Sequence, residues 1–249
     1  MNWTILIDAA GRSGPQNMLL DYALLRAAQE GSAFWRFYTW DPACLSFGRN
    51  EAVLSRYDVD KIKAMAIDTV RRPTGGRAVW HETEVTYAVA APLNLFGGLR
   101  ETYLTVHDMF CEALTGMGVR CELAAARSVP DTNAGACFAT PVGGEIVAEG
   151  RKLMGSAQLR EGNAFLQHGS LLLDDCQDLI SDVTLDGAPP PQATSLNQCL
   201  GRAVDFHEVV KTIVDFVEAK WDGEWVLGDA PPTPEASPDF WDPAWTWRR

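Results

Sequence analysis

Across 249 residues the sequence has only five lysines and four histidines. It lacks most of the patterns that turn polar residues into a ready-made site. No apolar run reaches the roughly 18 to 20 residues that span a bilayer. The start, Met1-Asn2-Trp3-Thr4-Ile5-Leu6-Ile7-Asp8, has no positive leader and reads as a strand. No signal or transit peptide is therefore expected, and the cytoplasm is the expected compartment. The six cysteines, Cys44, Cys111, Cys121, Cys137, Cys176 and Cys199, form no C-x-x-C pair and have no histidine at zinc-finger spacing. That argues against a metal site or a disulfide framework and leaves most of them as small buried apolar groups. The phosphate-binding spacing G-x-x-x-x-G-K-[ST] is absent, and so is G-x-G-x-x-G. Positive charge is also short. A formal net charge of -12 excludes general binding to nucleic acid or to an anionic membrane, because the field repels polyphosphates. Any local cluster of cations thereby becomes informative.

What is present reads as a globular chain, with 47% apolar and 22% charged residues. The length suits one catalytic domain over 1–228 with a proline-rich, tryptophan-containing tail over 229–249, and a monomer is expected. Helices are predicted over Asn17–Glu30, Asp58–Ala66, Leu99–Met117 and Asp205–Trp221. The third keeps Tyr103, Val106, Phe110, Ala113 and Met117 on one face, and Asp205 is placed to cap the fourth. Strands are predicted over Ala33–Trp40, Ala43–Gly48, Asp68–Arg72, Glu84–Ala91, Glu145–Glu149, Lys152–Arg160 and Ala164–Leu173. Strands outnumber helices without alternating strictly with them. The expected class is α+β, a mixed, largely antiparallel β-sheet flanked by helices. The tail tryptophans are expected to pack back onto the body, since exposed tryptophan is a liability.

Three segments carry chemistry. Arg71-Arg72-Pro73-Thr74-Gly75-Gly76-Arg77-Ala78-Val79-Trp80-His81 places arginines around a bend whose glycines allow positive φ and close approach of backbone N–H groups to an anion or a developing oxyanion. In Gly150-Arg151-Lys152-Leu153-Met154-Gly155-Ser156-Ala157-Gln158, the one lysine off the predicted helices precedes a run of small residues. It is either a solvated hairpin lysine or an ammonium aimed into a cleft. In Leu166-Gln167-His168-Gly169-Ser170, a histidine and a glycine sit on an apolar strand. Alone, His168 would be a satisfied core residue.

Together, and with Leu45-Ser46-Phe47-Gly48-Arg49-Asn50 upstream, these segments resemble the biotin/lipoate protein ligase superfamily, specifically the lipoate-protein ligases and octanoyltransferases. The resemblance covers roughly Asn17 to Asp174. It implies an apolar acyl channel lined by Arg49, Asn50, Arg72, Gly75, Gly76, Arg77, His81, Gly155, Ser156, Ala157, His168 and Gly169, with Lys152 as an oxyanion donor. ATP-dependent ligases keep a third glycine in the bend and a further C-terminal domain. Here Arg77 takes that glycine's place, and about thirty residues follow the last helix. The Gly-Gly-Arg form is similar to the octanoyltransferases, which use a cysteine shortly before the Gly-x-Lys element; Cys137 matches it. The implied activity moves an octanoyl or lipoyl group from acyl carrier protein through a Cys137 thioester to a lysine of a lipoyl-domain or glycine-cleavage H protein, with no cofactor. The alternatives are an ATP- and Mg²⁺-dependent lipoate-protein ligase, and a non-catalytic acyl-binding or carrier-docking protein. His81 and His168 are expected to position groups rather than transfer protons. Arg49, Arg71, Arg72, Arg77, Arg151, Lys152 and Arg160 are expected to gather near one cleft.

Overall fold

A computed structural model describes residues 1–125, 143–185, 187, 191 and 193–248. The elements in chain order are β1 (Asn2–Arg12), α1 (Gly14–Gln29), β2 (Ala33–Trp40), β3 (Cys44–Phe47), α2 (Val53–Arg56), α3 (Val59–Ala64), β4 (Asp68–Arg71), β5 (Val79–His81) and β6 (Glu84–Pro92). They continue with α4 (Leu99–Gly116), β7 (Cys121–Leu123), β8 (Ile146–Ala148), β9 (Arg151–Glu161), β10 (Ala164–Leu172), α5 (Leu179–Asp182), α6 (Leu196–Leu200), α7 (Phe206–Lys220), β11 (Glu224–Leu227) and α8 (Pro243–Thr246).

The class is α+β. The large sheet runs β11-β1-β2-β6-β10-β9-β8-β7, parallel only where β1 meets β11 and β2. From β2 onward every pairing is antiparallel. A separate three-stranded sheet, β4-β3-β5, carries the arginine bend between its outer strands. Sequence reading missed this division, because β3 is buried at all four residues and shows no alternation to mark a face. It also missed β5, β7 and β11, which have only three or four residues each.

The helices form where local signals agree. α1 begins at Gly14, three residues before the predicted Asn17, because Pro15 is preset for a first turn and Ser13 N–H donates to Gln16 Oε1 at 3.1 Å. Asp205 accepts from Glu208 N–H at 2.9 Å and caps α7 as expected. One core fills the space between the sheet and α4 and α7, with Trp35, Phe37, Tyr87 and Phe110 at its centre. A second lies under α1 and includes Phe240, with Trp245 packed against it. The C-terminal segment thus lies against the body, although Trp241 remains 54% exposed. Among the described residues no helix is long and apolar enough to cross a membrane.

Two glycines set how closely the sheets meet the bend and each other. A Cβ on Gly48 would stand 1.9 Å from the carbonyl oxygen of Gly76, and one on Gly169 would stand 2.3 Å from Ser156 Oγ and 2.5 Å from the Gly155 carbonyl. Gly75, in the same bend, has no atom within 4 Å of such a position. Gly48→Ala is therefore expected to cost about 1–3 kcal/mol by forcing backbone apart. Gly75→Ala should stay within about 0.5 kcal/mol. Denaturant titration of the two variants checks this, and equal losses would contradict it.

Candidate active site

The bend faces a cleft that opens to solvent. Met18, Tyr38, Trp40 and Val79 give it apolar walls; Arg72, Gly76, His81, Gly155, Ser156, Ala157, His168 and Gly169 complete them. Eight of the residues expected at an acyl site therefore converge on one cleft. Strand register explains the convergence: β10 is paired to β9 so that Gly169 lies opposite Ser156 and His168 opposite Ala157. The bend closes over that pair from the smaller sheet.

Arg72 is buried and holds the bend from within. Nη1 donates to the carbonyl and the hydroxyl of Ser46 at 3.0 and 2.5 Å, and Nη2 to the carbonyls of Gly75 and Arg77 at 3.2 and 2.7 Å. Ser46 hydroxyl donates onward to His81 Nε2 at 2.6 Å, and His81 Nδ1–H donates to Glu84 at 2.7 Å. Burial pushes the His81 pKa down, and this outweighs the opposing pull of Glu84, so the ring is neutral and fixed in one tautomer. Trp40 stacks on it with centroids 4.0 Å apart.

On the other wall, His168 contacts Thr74 Oγ1 through Nε2 at 2.7 Å and Asp21 through Nδ1 at 2.8 Å. Asp21 is fully buried and also receives Arg36 Nη1 and the Tyr38 hydroxyl, both at 2.8 Å. Burial pushes its carboxyl up. The bonds from His168, Arg36 and Tyr38 outweigh that and hold it below the usual carboxylate range. Both histidines are thus held from two sides, which is the geometry of positioning.

Lys152 lies elsewhere. It is not among the cleft-lining residues, and a register shift in the β8–β9 pairing separates it from the regular alternation that carries Ser156 and Gln158. Its side chain is 1% exposed and its ammonium donates to Glu145 Oε1 at 2.7 Å. The expected nucleophile Cys137 lies outside the described residues. The expected gathering of seven cations does not occur. Arg72 alone lines the cleft, Arg71 turns away from it, Arg151 donates to the Ala193 carbonyl, and the exposed Arg160 donates to that of Gly162. Arg77 is half-buried. Arg49 and Asn50 are exposed at the outer edge of the bend, where Arg49 N–H donates to the Thr74 carbonyl at 2.7 Å. Gly75 is half-buried and outside the cleft wall.

Several residues that build the site were missed. His107 on α4 donates from Nδ1–H to the Gly144 carbonyl at 2.6 Å and accepts from Ser156 Oγ at 2.8 Å. Ser156 in turn accepts from Tyr87, which accepts from Gln167. Burial, with a smaller contribution from Lys152, lowers the His107 pKa to about 4. Asp21 and Arg36 each carried a signal: a carboxylate one turn from Asn17 on an otherwise apolar helix face, and a lone charge inside the aromatic strand AFWRFYTW. Cys44, Cys121 and Cys176 are poor nucleophiles. Burial pushes Cys44 well up, Cys121 to about 12 and Cys176 to about 11.

Residues 13–218 match the family model described as the lipoyl protein ligase A/B catalytic domain. Octanoyltransferase LipM of Symbiobacterium thermophilum is 36% identical over 225 residues, which cover 83% of this chain and 82% of that protein. Octanoyltransferase LipM of Moorella thermoacetica is 34% identical over 241 residues, 90% of this chain and 88% of its own. Among solved structures, protein Ta0514 from T. acidophilum with bound lipoic acid aligns over 99% of this chain and 100% of its own, with a TM-score of 0.79 at 17% identity. Lipoate-protein ligase A bound with ATP aligns over 91% and 90%, with a TM-score of 0.73 at 19% identity. At such identities the structural likeness concerns the fold.

Because His107 is buried neutral, the unfolded chain takes up a proton below about pH 6.5 that the folded chain refuses until about pH 4. Its contribution to stability therefore falls as pH drops through that window. His107→Asn retains the donor to Gly144 and removes the titration. Between pH 7 and pH 4.5 the wild type should lose about 2–3 kcal/mol more than the variant in denaturant titrations. Equal losses would contradict the assignment.

Proposed function

The chain belongs to the lipoyl protein ligase A/B catalytic-domain family, and on that premise we propose that it is an octanoyltransferase of lipoate assembly. The observation that carries this reading is the set of relatives named octanoyltransferase LipM, 30 to 37% identical over most of the chain. The cleft supports it: an apolar trough with one polar wall suits a fatty acyl chain ending in a carbonyl.

In our reading octanoyl-acyl carrier protein is the donor and a lysine of a lipoyl-domain protein is the acceptor, and both meet the enzyme in the cytoplasm. The Cys137 thiolate attacks the donor's carbonyl carbon, a new C–S bond forms as the donor's C–S bond breaks, and the departing carrier thiolate takes up the proton that the Cys137 thiol gave up. The acceptor amine then attacks the Cys137 thioester. An amide C–N bond forms, the C–S bond breaks, and the amine's proton goes to the departing Cys137 thiolate. The first step exchanges one thioester for another at almost no cost and the second is downhill, so neither ATP nor a metal is needed. Cys137 takes this role because it matches the cysteine that the octanoyltransferases carry shortly before the Gly-x-Lys element; burial raises the thiol pKa of Cys44, Cys111, Cys121 and Cys176. Lys152 supplies the cation for the carbonyl oxygen, and its bond to Glu145 fixes where that cation points. Glu84 and Asp21 hold His81 and His168 as walls of the acyl trough.

Intact-mass analysis after incubation with octanoyl-acyl carrier protein tests this. The wild type is expected to gain one octanoyl group, lose it on addition of an apo lipoyl domain, and release no AMP when ATP is supplied. Cys137→Ser should gain none. ATP-dependent acylation with Cys137 replaced would overturn the reading in favour of a ligase. Lys152→Gln should slow transfer by about 10²–10³-fold, measured below its melting temperature because the change leaves Glu145 buried without this partner.

A further inference from the structure

Arg71 and Arg72 are neighbours at the end of β4, and their side chains turn to opposite sides. Arg71 is fully buried, yet it does not line the cleft. Its guanidinium joins two pieces of chain that are far apart in sequence. Nη1 donates to the carbonyls of Gly48, Arg49 and Glu51 at 2.8, 3.3 and 3.0 Å. Nε donates to those of Trp245 and Thr246 at 3.1 and 3.0 Å, and Nη2 to that of Arg248 at 2.7 Å. The tail answers: Trp245 Nε1 donates to the Arg71 carbonyl and Arg248 Nη2 to that of Arg49, both at 2.9 Å. Phe240, 1% exposed, and Trp247, packed 5.8 Å from Phe47, seat the tail.

The loop on the other side of Arg71 is what the bend rests on. Gly48 abuts the Gly76 carbonyl with no room for a side chain, and Arg49 N–H donates to the Thr74 carbonyl, while Thr74 meets His168. We infer that residues 239–248 are a positioning element of the acyl site, holding the Gly48–Glu51 loop, and through it the bend, by way of Arg71. A guanidinium has a rigid fork of donors and is costly to bury without acceptors. If the tail carbonyls leave, Arg71 loses three of its acceptors and with them the anchor that holds its fork against the loop carbonyls. The bend then loses its backing at Gly48, and a displacement near 1 Å in a positioning group costs on the order of a hundredfold in rate. The consequence for catalysis rests on the acyl-transfer reading; the mechanical coupling does not.

A chain ending at Pro238 tests the coupling, with Trp245→Ala as the milder variant if the truncation does not fold and Trp241→Ala as an exposed control. Hydrogen exchange reads the coupling directly: loss of the tail should deprotect the amides of Arg49, Arg72 and Ala78, which are bonded across the loop and bend. Octanoyl transfer, assayed where circular dichroism shows the variant folded, should fall about ten- to hundredfold. A synthetic peptide of residues 239–248 should restore both signals saturably, a rescue that a mere loss of global stability would not give. Trp241→Ala should change neither. A folded variant with unchanged bend protection and full transfer would overturn the inference. Altered bend protection in an enzyme whose full-length form never transfers octanoyl would instead overturn the functional reading and leave the coupling standing.

Discussion

Two consecutive buried guanidiniums, both bonded to backbone carbonyls and Arg72 also to the Ser46 hydroxyl, are the constraint on which this site depends. β4 ends with Arg71 pointing toward the C-terminal segment and Arg72 pointing under the bend. A bend of Pro-Thr-Gly-Gly has little conformational preference of its own, and Gly76 adopts φ +94°. What fixes it is the pair of planar cation forks beneath it, together with Glu51, whose carboxylate accepts from Tyr57 at 2.6 Å and from the Ala78 and Gly48 amides at 3.1 and 3.2 Å. Arg71 and Arg72, which look from sequence like ligands for an anion, are chiefly the scaffold of the loop and bend beside the cleft.

The remaining polar groups follow the same logic. Ser46, His81 and Glu84 form one chain of donors, Thr74, His168 and Asp21 another, and Gln167, Tyr87, Ser156 and His107 a third. Each chain ends on a fixed acceptor, so each side chain facing the cleft has its hydrogen-bonding direction already committed. An apolar chain entering such a trough displaces water without asking any of these groups to reorganise, which is the advantage of preorganisation. Burial pushes the thiols of Cys44, Cys121 and Cys176 toward their protonated form.

Much of this was legible in the sequence because it is local. The Asp205 cap, the stop at Gly31, the β9–β10 hairpin and the run Gly155-Ser156-Ala157 opposite His168-Gly169 all follow from short-range signals. The errors are non-local. Arg71 and Arg72 read as one cluster, although alternation along a strand sends neighbours to opposite faces. The sequence around Lys152 leaves a solvated ammonium and a buried one both open, since nothing nearby shows that Glu145 will pair with it. His107 was overlooked because the helix face was drawn from its apolar members, and a buried histidine becomes visible only when the Gly144 carbonyl and Ser156 are brought to it by the fold. The small sheet was hidden for a related reason: a strand buried on both sides has no polar alternation to reveal it.

The claim that the bend forms one wall of an acyl-transfer pocket is tested most directly by a crystal structure of the octanoyl-loaded chain. The octanoyl carbons should lie between Trp40 and Val79 on one side and Ala157 and Gly169 on the other, with the carbonyl end beside the bend. An acyl chain bound outside that cleft, or a nucleotide seated within it, would contradict the account.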